Sequence, residues 1–339
     1  MKHAFQYNTA HLPPEFYGAA RDDISLLAMD RRNGMVSASQ FSTIGDFLKS
    51  GDLLVFNDSL MVKSSVSAVF TDAGRVGKLN FGTSSSQGLL LCEPRPRSAG
   101  ETLVEGELAV TMPLPSGVRL VRRHSTFSRY WWAKLENYFE FTGILGKFGN
   151  YIRYGHVPFN LPDDAYTTPF ANVPGSVEFP SASRPFTNRI LRALEKRGVR
   201  FATVTLHCNL SSLEYSEFEN ARNLLDEEYF VSRRALNEIR RTHEEGGRVI
   251  AVGTAALRAM ESCPVSSGRS VHGRTDIYIR PGFKFRMVDG LITGLHEPDG
   301  SHVDLVSALL DESTLLSAYS VATELGYNWH EFGDLSLIV

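Results

Sequence analysis

An α/β fold interrupted by a small antiparallel β-barrel is the architecture this sequence predicts, and three observations carry it. Two hydrophobic runs, residues 52–57 and 248–252, each end in a short polar or glycine-containing turn, as core strands of an α/β sheet do. Between residues 63 and 150 the pattern changes to short β-rich pieces (VSAVF, KLNFG, GLLLCEP, ELAVTM, VRLVRR, FEFTGIL) separated by Gly, Ser, Pro and Asp. That spacing suits a small antiparallel barrel. After residue 150 mixed structure returns. The α/β domain is therefore expected to be discontinuous, over 1–62 and 151–339, with the barrel domain at 63–150.

Taken in order, residues 24–30 (ISLLAMD) predict a strand closed by the charged turn at 30–34, and residues 35–40 alternate as a half-buried strand does. Residues 43–49 predict one short helix, closed by Gly51. The strand at 52–57 runs into Asn57 and Asp58. These either satisfy their own turn or mark a site at the C-terminal end of a core strand. In the barrel, Tyr130, Trp131 and Trp132 with Arg129 and Lys134 read as barrel packing or as a base-stacking surface. Residues 151–168 are Pro- and Tyr-rich and irregular, and 175–183 hold too many turn formers for a long element. The helix at 188–197 places Ile190, Leu191 and Leu194 on one face, and Gly198 stops it. A strand at 200–206 ends in His207. Residues 214–247 are charged and mostly helical, with Leu236 and Ile239 on the buried side of 232–245. Next come the strand at 248–252, the turn Gly253-Thr254 and a helix over 255–261, a shape that aims backbone N–H groups and a positive helix end at a ligand. Strands are expected at 275–279 and 283–288, with Asp289-Gly290 turning a hairpin into 291–293. Helices at 303–310 and 315–325 close the chain.

Bulk properties exclude several classes. The 339 residues suffice for two domains and a sizeable core. A net charge of −3 argues against a broadly basic surface that coats nucleic acid, while leaving room for a local basic patch. No run of ~18 apolar residues is present, so no membrane span is expected. The N-terminal residues lack an apolar signal core, which predicts a cytoplasmic protein. Cys92, Cys208 and Cys263 are odd in number and widely spaced, which fits reduced thiols and gives no zinc pattern. A monomer or a small homo-oligomer is equally compatible with the sequence.

The combination of DLLVFND at 52–58, GSV at 175–177, RVIAVGT at 248–254, TDIYIRPGFKF at 275–285, and VDGLITGLHEP followed by LVSA at 288–308 resembles the S-adenosylmethionine:tRNA ribosyltransferase-isomerases, the QueA family of the queuosine pathway. The motifs stand in the family's order and span nearly the whole chain. The resemblance implies a QueA-like α/β domain with an inserted smaller antiparallel β-barrel domain. It implies S-adenosylmethionine as co-substrate and no metal. The ribosyl group would move to 7-aminomethyl-7-deazaguanine in tRNA and rearrange to an epoxycyclopentane, giving epoxyqueuosine with loss of adenine and methionine. That chemistry asks for a base near the carbon beside the sulfonium, a proton or hydrogen bonds for departing adenine, and exclusion of water.

Residue by residue, the resemblance is partial. Pro180, Ala182, Phe186 and Thr187 match, whereas Ser181, Ser183, Arg184 and Pro185 replace the family's threonine, glycine, leucine and histidine. His207 and Leu210 match, but Asn209 and Ser211 stand at glycine positions. His296 and Pro298 match; Gly294 and Asp299 replace asparagine and lysine. Ser25, Leu60 and Ser65 stand where the family has arginines, a loss that weakens phosphate contacts to tRNA. His207 and His296 are the candidate proton-transfer groups. Asn57, Asp58, Pro180, Ser181, Ala182, Phe186, Thr187, Gly253 and Thr254 are candidate substrate contacts. Arg258 reads as a holder of the methionine carboxylate or as an exposed helix arginine, Asp276 as a partner of a ribose hydroxyl or as a turn residue, and Tyr166 and Phe170 as core packing or as a stack for adenine. Asp299 would favour a cationic acceptor such as an amine. Two further readings stay open: a paralogue that gives the ribosyl group to a small molecule, and a non-catalytic binding module on the same fold.

Overall fold

The computed structural model describes residues 7–71, 75–96, 108–112, 117–210, 224–264, 268–297 and 301–339. A nine-stranded mixed sheet forms the larger part. Its strands run in the order Val271–Thr275, Glu227–Val231, Arg200–Leu206, Leu53–Asn57, Val249–Val252, Gly290–Gly294, Leu335–Ile338, Ser25–Met29 and Val36–Gln40. The four central ones, from Arg200–Leu206 to Gly290–Gly294, are mutually parallel. Leu53–Asn57 and Val249–Val252 are buried at every position, as strands covered on both faces must be. Leu53, Val55, Val249 and Ala251 face a core shared with the helices Arg233–Glu244, Thr254–Ser262, Ser301–Leu309 and Glu312–Glu324. Leu54, Phe56, Ile250 and Val252 face the opposite core, closed by the turn of 3-10 helix Phe41–Asp46 and the helix Asn188–Lys196.

The barrel is closed and six-stranded, built from Ser65–Phe70, Arg75–Ser86, Leu89–Pro96, Leu108–Met112, Gly117–Arg123 and Trp131–Leu135. Closure removes sheet edges that would otherwise be exposed. The stretch FEFTGIL, expected as a strand, is instead part of the helix Tyr138–Phe148. Asn137 caps it by accepting from the Glu140 N–H at 3.2 Å, and Phe141 packs edge-on against Phe81 inside the barrel at 4.7 Å. Trp131 is buried in the barrel core, whereas Tyr130 is buried outside it, among Phe127, Ile152 and Leu210, and donates its hydroxyl to the Leu210 carbonyl at 2.7 Å. Trp132 is half-buried beneath the Arg122 guanidinium.

Four other expectations are corrected. The helix expected at 43–49 is the 3-10 helix Phe41–Asp46. The charged stretch before residue 232 contains the strand Glu227–Val231. Its Glu227, Tyr229 and Val231 point inward, so a carboxylate occupies a core-facing position and hides the apolar alternation. Residues 276–289 form no strand. There the Glu261 carboxylate accepts the backbone N–H groups of Arg286, Met287 and Val288, taking the place of a ladder partner. No hairpin follows Asp289-Gly290, because Gly290–Gly294 pairs in parallel with Val249–Val252 and antiparallel with the C-terminal strand Leu335–Ile338.

Candidate active site

The four parallel strands present their C-terminal ends on one side of the sheet, and a cleft of about 380 Å³ opens there. Asn57, Cys208, Gly253 and Thr293 each follow or end one of those strands, and all line the cleft. Open α/β sheets place ligands at this edge because loops diverge from the strand ends and leave a crevice. Asn57 holds the strand ends together. Its Nδ2 donates to the Leu206 carbonyl at 2.9 Å, and its Oδ1 accepts from the Leu206 and Ser59 N–H groups at 2.9 and 3.2 Å.

Gly253 sits at φ 92°, a left-handed value that favours glycine. Its N–H donates to the Ile292 carbonyl at 2.8 Å. The turn thereby hands the chain into the helix Thr254–Ser262, which has no side-chain cap. The first N–H groups of that helix thus carry its positive end at the cleft wall. Arg258, one turn on, is 7% exposed and pairs through Nη1 with Glu227, itself 1% exposed. Its Nε donates to the Ile277 carbonyl at 3.2 Å, and its Nη2 is buried without a hydrogen-bond partner among the described residues.

Carboxylates outnumber cations on the cleft wall. Glu178, Glu227, Glu297 and Glu331 face it with Arg258 and four histidines: His156, His296, His302 and His330. Burial holds His296 well below the ordinary imidazole range, with help from the neighbouring His302 and His330. Burial, and secondarily the charge of Arg258, brings His302 down to about 4. The rings of His296 and His302 stack at 4.6 Å, and His296 Nε2 meets Thr293 Oγ1 at 2.8 Å. Burial pushes the Tyr154 hydroxyl up, and the Glu178 and Glu331 carboxylates add to it.

The sequence model of the queuosine biosynthesis protein family matches residues 4–338. The S-adenosylmethionine:tRNA ribosyltransferase-isomerase of Halothermothrix orenii is 32% identical over 94% of both chains. The enzyme of the same name from a Thermoanaerobacter species is 31% identical over 93% of this chain and 92% of its own. The chain belongs to the queuosine biosynthesis protein family. Its fold matches the crystal structure of the S-adenosylmethionine tRNA ribosyltransferase of Thermotoga maritima, with a TM-score of 0.54 and 24% identity over 98% of this chain and 96% of that one.

Family motifs far apart in sequence meet in the cleft. Asn57, Pro180, Ser181, Ala182, Gly253, Thr254, Arg258 and His296 all line it. Other residues expected at the site do not. Phe186 is fully buried between Phe41 and Phe56. Thr187 caps the helix Asn188–Lys196 and donates to Asp22 at 2.6 Å. Tyr166 is core, packed among Tyr151, Phe179 and Phe332. Asp58 accepts from Thr205 Oγ1 at 2.6 Å, beside the cleft rather than in it. Asp276 is exposed, beyond the strand Val271–Thr275. His207 lies behind the lining residues, with Nδ1 and Ser59 Oγ 2.7 Å apart and its ring pressed on Gly175. Asp299 and Pro298 lie outside the described residues.

Three of the substitutions are accommodated, while Ser211, like Asp299, lies outside the described residues. Arg184 turns away from the cleft, donating to the Ala165 carbonyl at 3.0 Å and Glu15 at 2.8 Å. Pro185 is buried beside it. Asn209 is not left-handed and uses its side chain as a clamp between the barrel and the sheet. Sequence reasoning missed Tyr154, His156, Glu178, Glu227, His302, His330 and Glu331. Tyr154, His156, Glu178, His330 and Glu331 come from irregular stretches with no periodicity to mark them, Glu227 opens a strand hidden in a charged stretch, and His302 lies in the first turn of the helix Ser301–Leu309.

No helix among the described residues is long and apolar enough to cross a membrane.

Proposed function

We propose that this chain transfers the ribosyl group of S-adenosylmethionine to 7-aminomethyl-7-deazaguanine in tRNA and rearranges it to the epoxycyclopentane, releasing adenine and methionine. The observation that carries the reading is the convergence of the family's separated motifs on one cleft at the strand ends. The cleft's size falls within the range of small-molecule sites. Its chemistry suits the donor. The uncapped N-terminus of the helix Thr254–Ser262 offers N–H groups to the methionine carboxylate, while Arg258 sets a positive charge one turn away. Glu178, Glu297 and Glu331 complement the sulfonium and ammonium charges, and a primary amine acceptor gains from the same field. His296, held neutral, serves as a hydrogen-bonding wall for the purine. No metal is assigned a role.

That excess of carboxylates also suits a free cationic amine, so a small-molecule acceptor is the second reading. The non-catalytic reading loses support from Arg184 and Pro185, which leave the cleft open. Incubation with S-adenosylmethionine, alone and with tRNA bearing the aminomethyl base, tests all three. Adenine and methionine released only with that tRNA is the expected result. Release with a free amine alone selects the second reading. No release and no calorimetric binding of S-adenosylmethionine overturns both enzymatic readings.

A further inference from the structure

Resting on the activity proposed above, we infer that His156, oriented by Glu331, is the group that moves protons in this cleft. Of the four histidines on the wall, it alone combines a carboxylate at hydrogen-bond distance on one ring nitrogen with the other nitrogen unengaged. His156 Nε2 lies 2.9 Å from Glu331 Oε2, and both side chains are largely buried, at 17% and 7% exposure. Nδ1 has no hydrogen-bond partner among the described residues, and it is not among the fully buried unpartnered atoms. A carboxylate on one nitrogen fixes the tautomer and stabilises the imidazolium, while the free nitrogen does the chemistry.

The other three histidines lack this arrangement. His296 gives Nε2 to the Thr293 hydroxyl. His302 stacks on it with its ring nearly parallel. His330 Nε2 is 3.7 Å from Glu297 Oε1, too far for a hydrogen bond.

His330 serves His156 in another way. Its ring lies on that of His156 at 4.2 Å with 21° between planes. The backbone of His330 sits at φ 76°, a left-handed value for a non-glycine residue, at a cost on the order of 1 kcal/mol. Strain of this kind persists only where surrounding contacts over-determine it. Tyr154 also lies nearby, with its ring nearly parallel to that of His156 at 5.8 Å and 5° between planes. Ring contacts with His330 and Tyr154 thus add to the Glu331 contact in holding the imidazole.

The step is balanced within the cleft. Neutral Nδ1 takes the proton from the carbon beside the sulfonium sulfur; the C–H bond breaks, its electron pair stays on carbon, and an N–H bond forms. Glu331 pairs with the imidazolium. The same proton passes to the leaving adenine nitrogen as its C–N bond breaks and that electron pair goes to nitrogen, which regenerates neutral His156. No other reagent is consumed.

The test compares wild type, His156→Ala and Glu331→Gln for adenine release with S-adenosylmethionine and aminomethyl-bearing tRNA across pH, with calorimetric binding of S-adenosylmethionine alongside. Loss of a positioned general base costs on the order of 10²–10⁴-fold. His156→Ala should lose turnover on that scale with S-adenosylmethionine affinity changed only a few-fold. Glu331→Gln should lower turnover less and move the acid limb of the profile to lower pH, since the carboxylate that stabilises the imidazolium is gone. The groups facing His156 are Glu331, His330, Tyr154 and His11, with Glu297 behind His330. None of them is altered in Glu331→Gln apart from Glu331 itself. Turnover of His156→Ala at the wild-type rate, or an acid limb unmoved in Glu331→Gln, overturns the assignment. If His156→Ala does not fold, the Glu331→Gln limb decides. A wild-type protein that releases no adenine overturns the activity itself, a separate result.

Discussion

Asn209 offers the sharpest test of how the barrel is tied to the sheet. It is 0% exposed. Its Oδ1 accepts from the N–H groups of Thr83 and Leu210, both at 2.9 Å, and its Nδ2 donates to Ser84 Oγ at 2.7 Å and the Asp226 carbonyl at 3.1 Å. Thr83 and Ser84 belong to a barrel strand; Asp226 precedes the sheet strand Glu227–Val231. Asn209→Ala removes all four bonds at once. At about 1 kcal/mol net for each, with little water able to replace them, the loss is about 3–4 kcal/mol. Gly82 supplies the companion perturbation. A Cβ there would lie 2.5 Å from Asn209 Oδ1, with Leu91 and Leu210 side-chain carbons at 3.2 and 3.3 Å. Gly82→Ala alone should cost about 1–3 kcal/mol through overpacking. In the Asn209→Ala background the worst contact is gone, so the double variant should be more stable than the sum of the two by about 1–2 kcal/mol. Urea unfolding followed by tryptophan fluorescence reads both parts, because Trp131 lies in the barrel and Trp329 in the α/β core. A loss below about 1 kcal/mol for Asn209→Ala, or strict additivity in the cycle, would refute the clamp.

Two other predictions concern the cleft. Glu227→Gln leaves the Arg258 guanidinium buried without its counter-charge, and should destabilise the fold by about 3–5 kcal/mol and weaken S-adenosylmethionine binding in calorimetry. Unchanged melting temperature and affinity would show that the pair is immaterial. His302 in the folded protein is held neutral, near 4 against about 6.5 when unfolded. Its contribution to stability is thus complete above about pH 6.5 and is lost as pH falls through 4, at most about 3 kcal/mol. His302→Asn should flatten the fall in unfolding free energy over that window. A slope identical to wild type would count against the neutral imidazole.

Much of the scaffold was legible in the chain. LLVFN and VIAV read as central strands because both faces of the sheet are covered, which leaves no polar alternation to confuse them. The barrel was readable from its turn spacing. Its helix was not, since Phe139 and Phe141 mimic strand alternation while Asn137 caps a helical turn. Glu227–Val231 was hidden by the buried glutamate that lines the cleft.

For the site, the local motifs determined which family the chain resembles and which strand ends line the cleft, through Asn57, Gly253, Thr254 and His296. Local sequence specifies turns, caps and burial patterns, because those depend on neighbours a few residues apart. The tertiary structure alone decided that Phe186 and Tyr166 serve the core and Thr187 a helix cap, that Asn209 clamps rather than strains, and that His156 meets Glu331 across the fold. Those pairings arise from strand order and loop closure between distant residues, and nothing in the period of either local segment encodes them.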